Sequence, residues 1–379
     1  MQTKCEGLLT GAVGYASLPD GGRLLLPGLL PGETAEFPSV IPRGRRFEAV
    51  DIHRTSSSPL RTEPACPYRG LCGGCDFDYV SVADSAGLKS GIVASNVSAA
   101  LSRDISSVVR EPVWDSAEGY RIRCRIHVSL RDRRIGFLSR RSNRLVELER
   151  CPLLSERLNG VLSQPRRLFT GAQSQLFSRR PNPKTGFVEL NLLESDDGVL
   201  VEDQEGIRTV GGCAYHVSAN VFFQSNARLM ARLLEIVRAS AFGERIMDLY
   251  SGVGTFSRLF EGSGRTVWAV ERDRHCLSLA RKNAPGARYF TDDVSRWAVK
   301  VRQPVDTVIV DPPRTGLGDA AGTIASWRAE RVIYVSCNSA SLASDLRRFQ
   351  DAYELTMIQV LDFYPGSGHE ESVAVLDLK

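Results

Sequence analysis

The sequence predicts an α/β protein in which a doubly wound, mostly parallel sheet fills the C-terminal part and two β-rich segments precede it. Three observations carry this. From about residue 220 onward, apolar strand-like runs at 245–250, 266–270, 287–291, 307–310 and 332–336 alternate with helical patterns. The first 60 residues instead break into short runs divided by Gly and Pro. Between these parts lies a Gly-rich loop with three cysteines, followed by a stretch in which apolar residues alternate with Arg. At roughly 100–200 residues per domain, 379 residues hold two or three such units.

In the first unit, 1–60, the runs 7–15, 22–26, 33–40 and 46–52 are separated by Asp20-Gly21-Gly22, Pro31-Gly32 and Pro42-Arg43-Gly44, which suits a small five-strand barrel. The Ser-rich segment 55–59 reads as a linker. In the second unit, 61–218, the loop 66–75 leads to a helix over 84–103 that is expected to pack on the C-terminal domain. Ile122, Cys124, Ile126, Val128 and Leu130 then alternate as a half-buried strand does, with Arg133 in the turn that follows, and further strands are expected at 186–193 and 198–201. The third unit, 219–379, opens with an amphipathic helix over 226–241 and closes with a hairpin of 354–363 and 371–378.

Composition narrows the partners. The basic residues are 42 Arg against 6 Lys, and guanidinium suits bidentate phosphate contact and base stacking. Biased codon usage produces the same ratio, and a net charge of +4 says little alone. Distribution says more: 121–150 holds ten Arg against Asp132, Glu147 and Glu149, which suits a phosphate-facing surface or a solvated face. No run approaches the roughly 18 apolar residues of a membrane span, and Met1 to Thr10 lacks a basic start followed by an apolar stretch. Nine cysteines scattered over the chain do not fit a secreted disulfide framework. A cytoplasmic monomer is expected.

Asp248-Leu249-Tyr250-Ser251-Gly252-Val253-Gly254-Thr255-Phe256 sits where the first parallel strand is expected to turn into a helix. Gly252 and Gly254 admit close backbone approach, and Thr255 is placed to cap that helix. Glu271 ends the next strand, 23 residues after Asp248, where an acid can hold both ribose hydroxyls. Asp292 and Asp293 end the third, within reach of an adenine amino group. The third glycine of the dinucleotide fingerprint is missing, as is a phosphate-cradling Lys. Together these favour a nucleoside cofactor without pyrophosphate, such as S-adenosylmethionine.

The fourth strand delivers Asp311-Pro312-Pro313-Arg314, and the prolines stiffen its exit. The fifth delivers Cys337 just before a helix, where the positive end of the dipole favours thiolate. Glu371 precedes the last strand. Asp311, Cys337 and Glu371 thus all fall at strand ends. Cys5, Cys124, Cys213 and Cys276 have no such setting, and His127 and His216 lie in strand-like runs, so packing accounts for these.

At these residues the chain resembles the RNA 5-methyluridine methyltransferases of the TrmA/RlmD type. The resemblance rests on FFQSN (222–226), DLYSGVGTFS (248–257), DPPRTGL (311–317), YVSCNSASLASDL (334–346) and HEESVAVL (369–376). It implies a Rossmann-like class I methyltransferase domain with Gln224, Tyr250, Thr255 and Glu271 as S-adenosylmethionine contacts and Asp311 beside cofactor and target base. It further implies Cys337 as nucleophile at uracil carbon-6 and Glu371 as the base that removes the carbon-5 proton. Thr255 stands where many members carry Asn, and Glu370 where they carry an apolar residue; the family's His-x-Glu spacing selects Glu371.

Cys66, Cys72, Cys75 and the distant Cys151 make four candidate thiolate ligands, a set that suits zinc or an iron–sulfur cluster. The resemblance implies a [4Fe-4S] cluster on this spacing. Leu25-Leu26-Pro27-Gly28-Leu29-Leu30-Pro31-Gly32-Glu33 resembles a TRAM domain, an OB-like RNA-binding barrel. Barrel and cluster together point to 23S rRNA as the substrate, with tRNA as the alternative. A non-catalytic RNA-binding or folding factor on this scaffold is the reading from another class, and the intact Asp311, Cys337 and Glu371 set argues against it. Cytosine-C5 methylation is disfavoured because Cys337 lies between Ser336 and Asn338, not beside a proline.

Overall fold

The computed structural model describes residues 1–140, 142–169, 176, 179–301 and 303–379. Its largest sheet has seven strands: β1 (Arg245–Leu249), β2 (Thr266–Glu271), β3 (Arg288–Thr291), β4 (Thr307–Val310), β5 (Arg331–Ser336), β6 (Tyr353–Val360) and β7 (Ser372–Leu378). They lie in the order β3-β2-β1-β4-β5-β7-β6, parallel except for β7, which runs antiparallel to both neighbours. The order reverses between β1 and β4, and such a switch point opens a crevice at the C-terminal strand edge. Leu249 pairs with both Val270 and Val310, so the loops after β1, β2 and β4 leave the sheet at one level.

β1, β4 and β5 are apolar runs buried on both faces, as parallel strands covered on two sides must be. Met247, Leu249, Val308, Val310, Val332 and Tyr334 enter one core, while Ile246, Ile309, Ile333 and Val335 enter the other. The first core is closed by α1 (Val82–Leu101), through Val93 and Val97, and by Leu342, Leu346 and Phe349 of Ser339–Phe349. α1 begins at Val82, two residues before the expected start, and is capped by Ser81, whose side chain accepts from Asp84 N. The second core takes Leu229, Met230, Leu233, Leu234 and Val237 of α2 (Ala227–Ser240).

The N-terminal residues form eight short strands in two sheets, one of five and one of three strands. The run 7–15 is not one strand: Gly11 (φ +82°) and Ala12 (φ +54°) fold it into an antiparallel pair, with Leu9 opposite Val13. The run 33–40 is likewise split into Thr34–Glu36 and Ser39–Arg43, which join different sheets. The central part is a five-stranded antiparallel sheet in which Arg123–Ser129 lies between Arg134–Leu138 and Val188–Glu194. Its apolar side, with Ile126, Val128, Leu190 and Leu192, packs on Leu158 and Leu162 of the helix Glu156–Ser163. The hairpin of Glu205–Val210 and Cys213–Ser218 puts Val210, Tyr215 and Val217 into the same core as α2, so by packing it sides with the large sheet. Arg141, within the Arg-rich stretch, lies outside the described residues. Among the described residues no helix is long and apolar enough to cross a membrane.

Candidate active site

The loop after β1 carries three left-handed residues in five, at Tyr250 (φ +60°), Gly252 (φ +52°) and Gly254 (φ +77°). A Cβ on Gly254 would also lie 3.2 Å from Ala280 Cβ of α3 (Arg274–Asn283), so helix and loop meet where only glycine fits comfortably. Asp248, fully buried at the end of β1, accepts from Ser257 N (2.9 Å) and Ser257 Oγ (2.6 Å) and ties the far end of the loop to the strand. Burial pushes its carboxyl up to about 7. The expected helix does not follow. A short 3₁₀ turn, Ser257–Phe260, takes its place and receives no side-chain cap, because the third left-handed residue turns the chain away from helical geometry. Thr255 serves instead through its carbonyl, which accepts from Tyr215 Oη at 3.2 Å.

Glu271, ending β2, spans two backbone donors: Oε2 accepts from Gly252 N (3.1 Å) and Oε1 from Asp273 N (2.8 Å). Asp292 takes Lys300 Nζ at 2.7 Å and Arg296 Nε at 3.5 Å, and the Lys300 hydrogen bond holds its carboxyl below the usual range. Asp293 caps the helix α4 (Val294–Ala298) through Ser295 N. Gln224 is placed by Asn226 two residues on, which caps α2 and donates to Phe363 O at 3.4 Å.

A cavity of about 820 Å³ runs along this edge. Gln224, Tyr250, Thr255, Glu271 and Asp292 line it together with Asp311, Cys337 and Glu371, so all eight non-cluster residues singled out in the sequence meet in one space. Sheet register explains the last two. Ser336 pairs with Ser372 across the antiparallel β5 and β7, which sets Cys337 and Glu371 side by side where the ladder ends. The Asp311 loop is latched by Asp345, a buried residue that sequence reasoning passed over. Its Oδ2 accepts from Leu317 N (2.6 Å) and Tyr334 Oη (2.7 Å).

The expectation of a helix-stabilised Cys337 thiolate is corrected. The thiol is pushed up to about 11, first by burial and then by the carboxyls of Glu371 and Asp311, with Arg314 opposing. The donors of the following helix, α5 (Ser339–Phe349), are already engaged: Ala340 N and Ser341 N by Asn338 Oδ1, and Ser339 N by Glu370 Oε2. Burial also raises Asp311 to about 7 and Glu371 well above its ordinary value. Glu371 Oε1 is buried without a hydrogen-bond partner, whereas both oxygens of Glu370 accept backbone N–H groups and Glu370 does not line the cavity.

Three further side chains enter this end. Arg314 Nη2 lies 3.2 Å from the ring nitrogens of His369, and desolvation together with Arg314 holds that ring below its usual value. Tyr364 stands edge-on to His369 at 5.9 Å and donates to Gln224 Oε1 at 3.4 Å. Arg314 and His369 were visible in the sequence only as parts of motifs. Tyr364, in a Pro-Gly loop, gave no signal in spacing or type.

Cys66, Cys72, Cys75 and Cys151 interact electrostatically with one another, and Gly74 N donates to Cys72 Sγ at 3.4 Å. Burial raises the Cys75 thiol to about 11. Among the described residues, however, no three His, Cys, Asp or Glu side chains are gathered closely enough to hold a metal ion. None of the nine cysteines is joined in a disulfide. Three of the ten Arg in 121–150 are engaged internally: Arg125 pairs with Glu189, Arg134 with Asp132 and Glu147, and Arg150 with Glu156.

Residues 299–379 match the tRNA (Uracil-5-)-methyltransferase family profile. Over 94% of its length the chain is 29% identical to the 23S rRNA (uracil(1939)-C(5))-methyltransferase RlmD of Cronobacter sakazakii, covering 91% of that protein. The chain is similar to the RNA uracil-C5 methyltransferases over nearly its whole length. It is also 27% identical, over 100% of its length and 97% of the other's, to an uncharacterized RNA methyltransferase of Halalkalibacterium halodurans. Its fold is that of Pyrococcus abyssi tRNA (uracil-54, C5)-methyltransferase, solved in complex with S-adenosyl-L-homocysteine, with a TM-score of 0.76 and 23% identity over 99% of both chains.

Proposed function

We propose that the protein is an S-adenosylmethionine-dependent methyltransferase that forms 5-methyluridine in RNA, with 23S rRNA as its target. The observation that carries this is the meeting of Cys337, Glu371 and Asp311 at one end of a cavity whose other end is the glycine loop and Glu271. Gln224, Tyr250, Thr255, Glu271 and Asp292 hold the cofactor, which supplies an electrophilic methyl group on a sulfonium. Cys337 adds to carbon-6 of the uracil, making carbon-5 nucleophilic. Once carbon-5 is methylated, Glu371 takes its proton and Cys337 leaves. Burial opposes ionisation of the thiol and both carboxyls, Arg314 already favours it at Cys337 and Glu371, and the positive sulfonium of the cofactor would favour it further. A target uridine approached from both faces is flipped out of its stack.

The N-terminal strands serve as the TRAM-like RNA-binding unit and the central sheet as a second RNA-facing unit. Cys66, Cys72, Cys75 and Cys151 are the ligands of a [4Fe-4S] cluster. The mutual electrostatic reach of the four thiols and the N–H donor on Cys72 Sγ support that reading. Iron analysis of anaerobically purified protein tests it; zinc at one per chain without iron overturns it. The protein is expected to act as a cytoplasmic monomer.

The deciding experiment incubates the protein with S-adenosylmethionine and transcripts of 23S rRNA or tRNA that contain 5-fluorouridine. Fluorine blocks proton removal, so a carbon-5 enzyme traps itself through Cys337. An adduct with the 23S transcript is the expected result. An adduct with tRNA alone keeps the reaction and changes the substrate, a reading favoured by the family profile and the fold match. No adduct, with RNA and cofactor both bound, overturns the reaction.

A further inference from the structure

The loop 366–371 that carries Glu371 lies against the N-terminal strands too closely for any side chain at Gly368. A Cβ on Gly368 would fall 2.2 Å from Gly11 O and 2.5 Å from Gly11 C. The neighbouring Glu370 is 2% exposed, and its two oxygens reach two separate segments of the chain: Oε1 accepts from Gly11 N (3.4 Å) and Oε2 from Ser339 N (3.2 Å). The same turn is tied again beside it. Thr10 Oγ1 lies 3.2 Å from Ser339 Oγ, and Asn96 Nδ2 of α1 donates to both, at 3.0 and 2.8 Å. On its other side the loop is held by Asp76 Oδ1, which accepts from Gly368 N at 2.8 Å.

We propose that Glu370 is a positioning residue that locks the turn at Thr10-Gly11-Ala12 onto both catalytic segments, making this N-terminal turn a structural part of the active site. The inference rests on the reaction assigned above. Burying a carboxyl is costly, and an apolar side chain would fill the same space without that cost. What an apolar side chain cannot do is satisfy the N–H groups of Gly11 and Ser339. Ser339 follows Cys337 by two residues and Glu370 precedes Glu371 directly, so one carboxylate spans the nucleophile's segment and the base's segment. Reacting groups displaced by about 1 Å lose on the order of a hundredfold in rate, so a bridge at this point acts on the chemical step more than on ligand binding.

The test compares wild type, Glu370→Gln and Glu370→Leu. Active sites are counted by the 5-fluorouridine adduct, and kcat per active site and KM are measured on the transcript that traps wild type. For Glu370→Leu, kcat falls about 10- to 100-fold while KM for S-adenosylmethionine stays within about twofold. Glu370→Gln keeps one acceptor oxygen and recovers most of that loss. Amide exchange at Gly11 and Ser339 speeds up in step with the loss of kcat. A Glu370→Leu enzyme with kcat within about twofold of wild type overturns the proposal. If that variant does not fold, Glu370→Gln decides alone: faster exchange at Ser339 with unchanged kcat overturns it, and faster exchange with a severalfold lower kcat supports it. A wild-type enzyme that traps no RNA fails the reaction itself, a separate outcome.

Discussion

The two ends of the cavity are built on opposite principles. At the cofactor end every acid already has partners: Glu271 holds two backbone N–H groups, Asp292 is paired with Lys300, and Asp293 caps a helix. At the other end Cys337, Asp311 and Glu371 crowd together, and Glu371 Oε1 has no hydrogen-bond partner among the described residues. The contrast teaches where each end spends its stability. The first is preorganised, so a ligand enters a finished site. The second holds three acids whose ionisation desolvation opposes, an arrangement that is costly in the free protein and useful once a substrate supplies charge and hydrogen bonds.

That contrast can be broken most severely at the thiol. Cys337→Ala is expected to lower turnover by at least about a thousandfold and to abolish the 5-fluorouridine adduct, because no other thiol lines that end of the cavity beside Glu371. Next comes Glu371→Gln, which should slow product release by at least about a hundredfold and accumulate a methylated covalent RNA adduct visible on a denaturing gel. Free product at the wild-type rate would move the base elsewhere.

At the finished end the effects are smaller and fall on binding. Glu271→Ala should weaken S-adenosylmethionine about tenfold, roughly 1.4 kcal/mol, in calorimetry, with kcat at saturation nearly unchanged. An equal loss in kcat would erase the distinction between the two ends. The smallest effect sharpens the electrostatics. With the Cys337 thiol raised to about 11, iodoacetamide labelling of the RNA-free protein should climb about tenfold per pH unit from 8 to 10, with no plateau. Arg314 lowers that value, so Arg314→Ala should shift the curve to higher pH and slow labelling at pH 9 by severalfold. A plateau near pH 8, read by peptide mass spectrometry, would mean the thiol is not raised.

Much of this was legible in the chain itself because parallel strands announce themselves as short, doubly buried apolar runs, and the chemistry sits at their ends. Asp311, Cys337 and Glu371 could be placed at strand ends by pattern alone. The N-terminal strands were harder. The bend at Gly11-Ala12 splits a run that reads as one strand, and long-range pairing decides which sheet each half joins. The helix expected at Thr255 failed for a local reason, since three left-handed residues in five do not lead into a helix.

Sequence alone determined the residue types, their order, and the alternation that demands a doubly wound sheet. Only the tertiary structure decided the rest. Spacing along the chain says nothing of the register that sets Ser336 opposite Ser372 and so brings Cys337 to Glu371, or of the Asp345 latch on the Asp311 loop. Nor does it reveal that Glu370 faces Gly11, 359 residues away. The physical reason is common to all three. Protonation and position both follow from what is packed around a group, and those neighbours come from parts of the chain that meet only in the folded state.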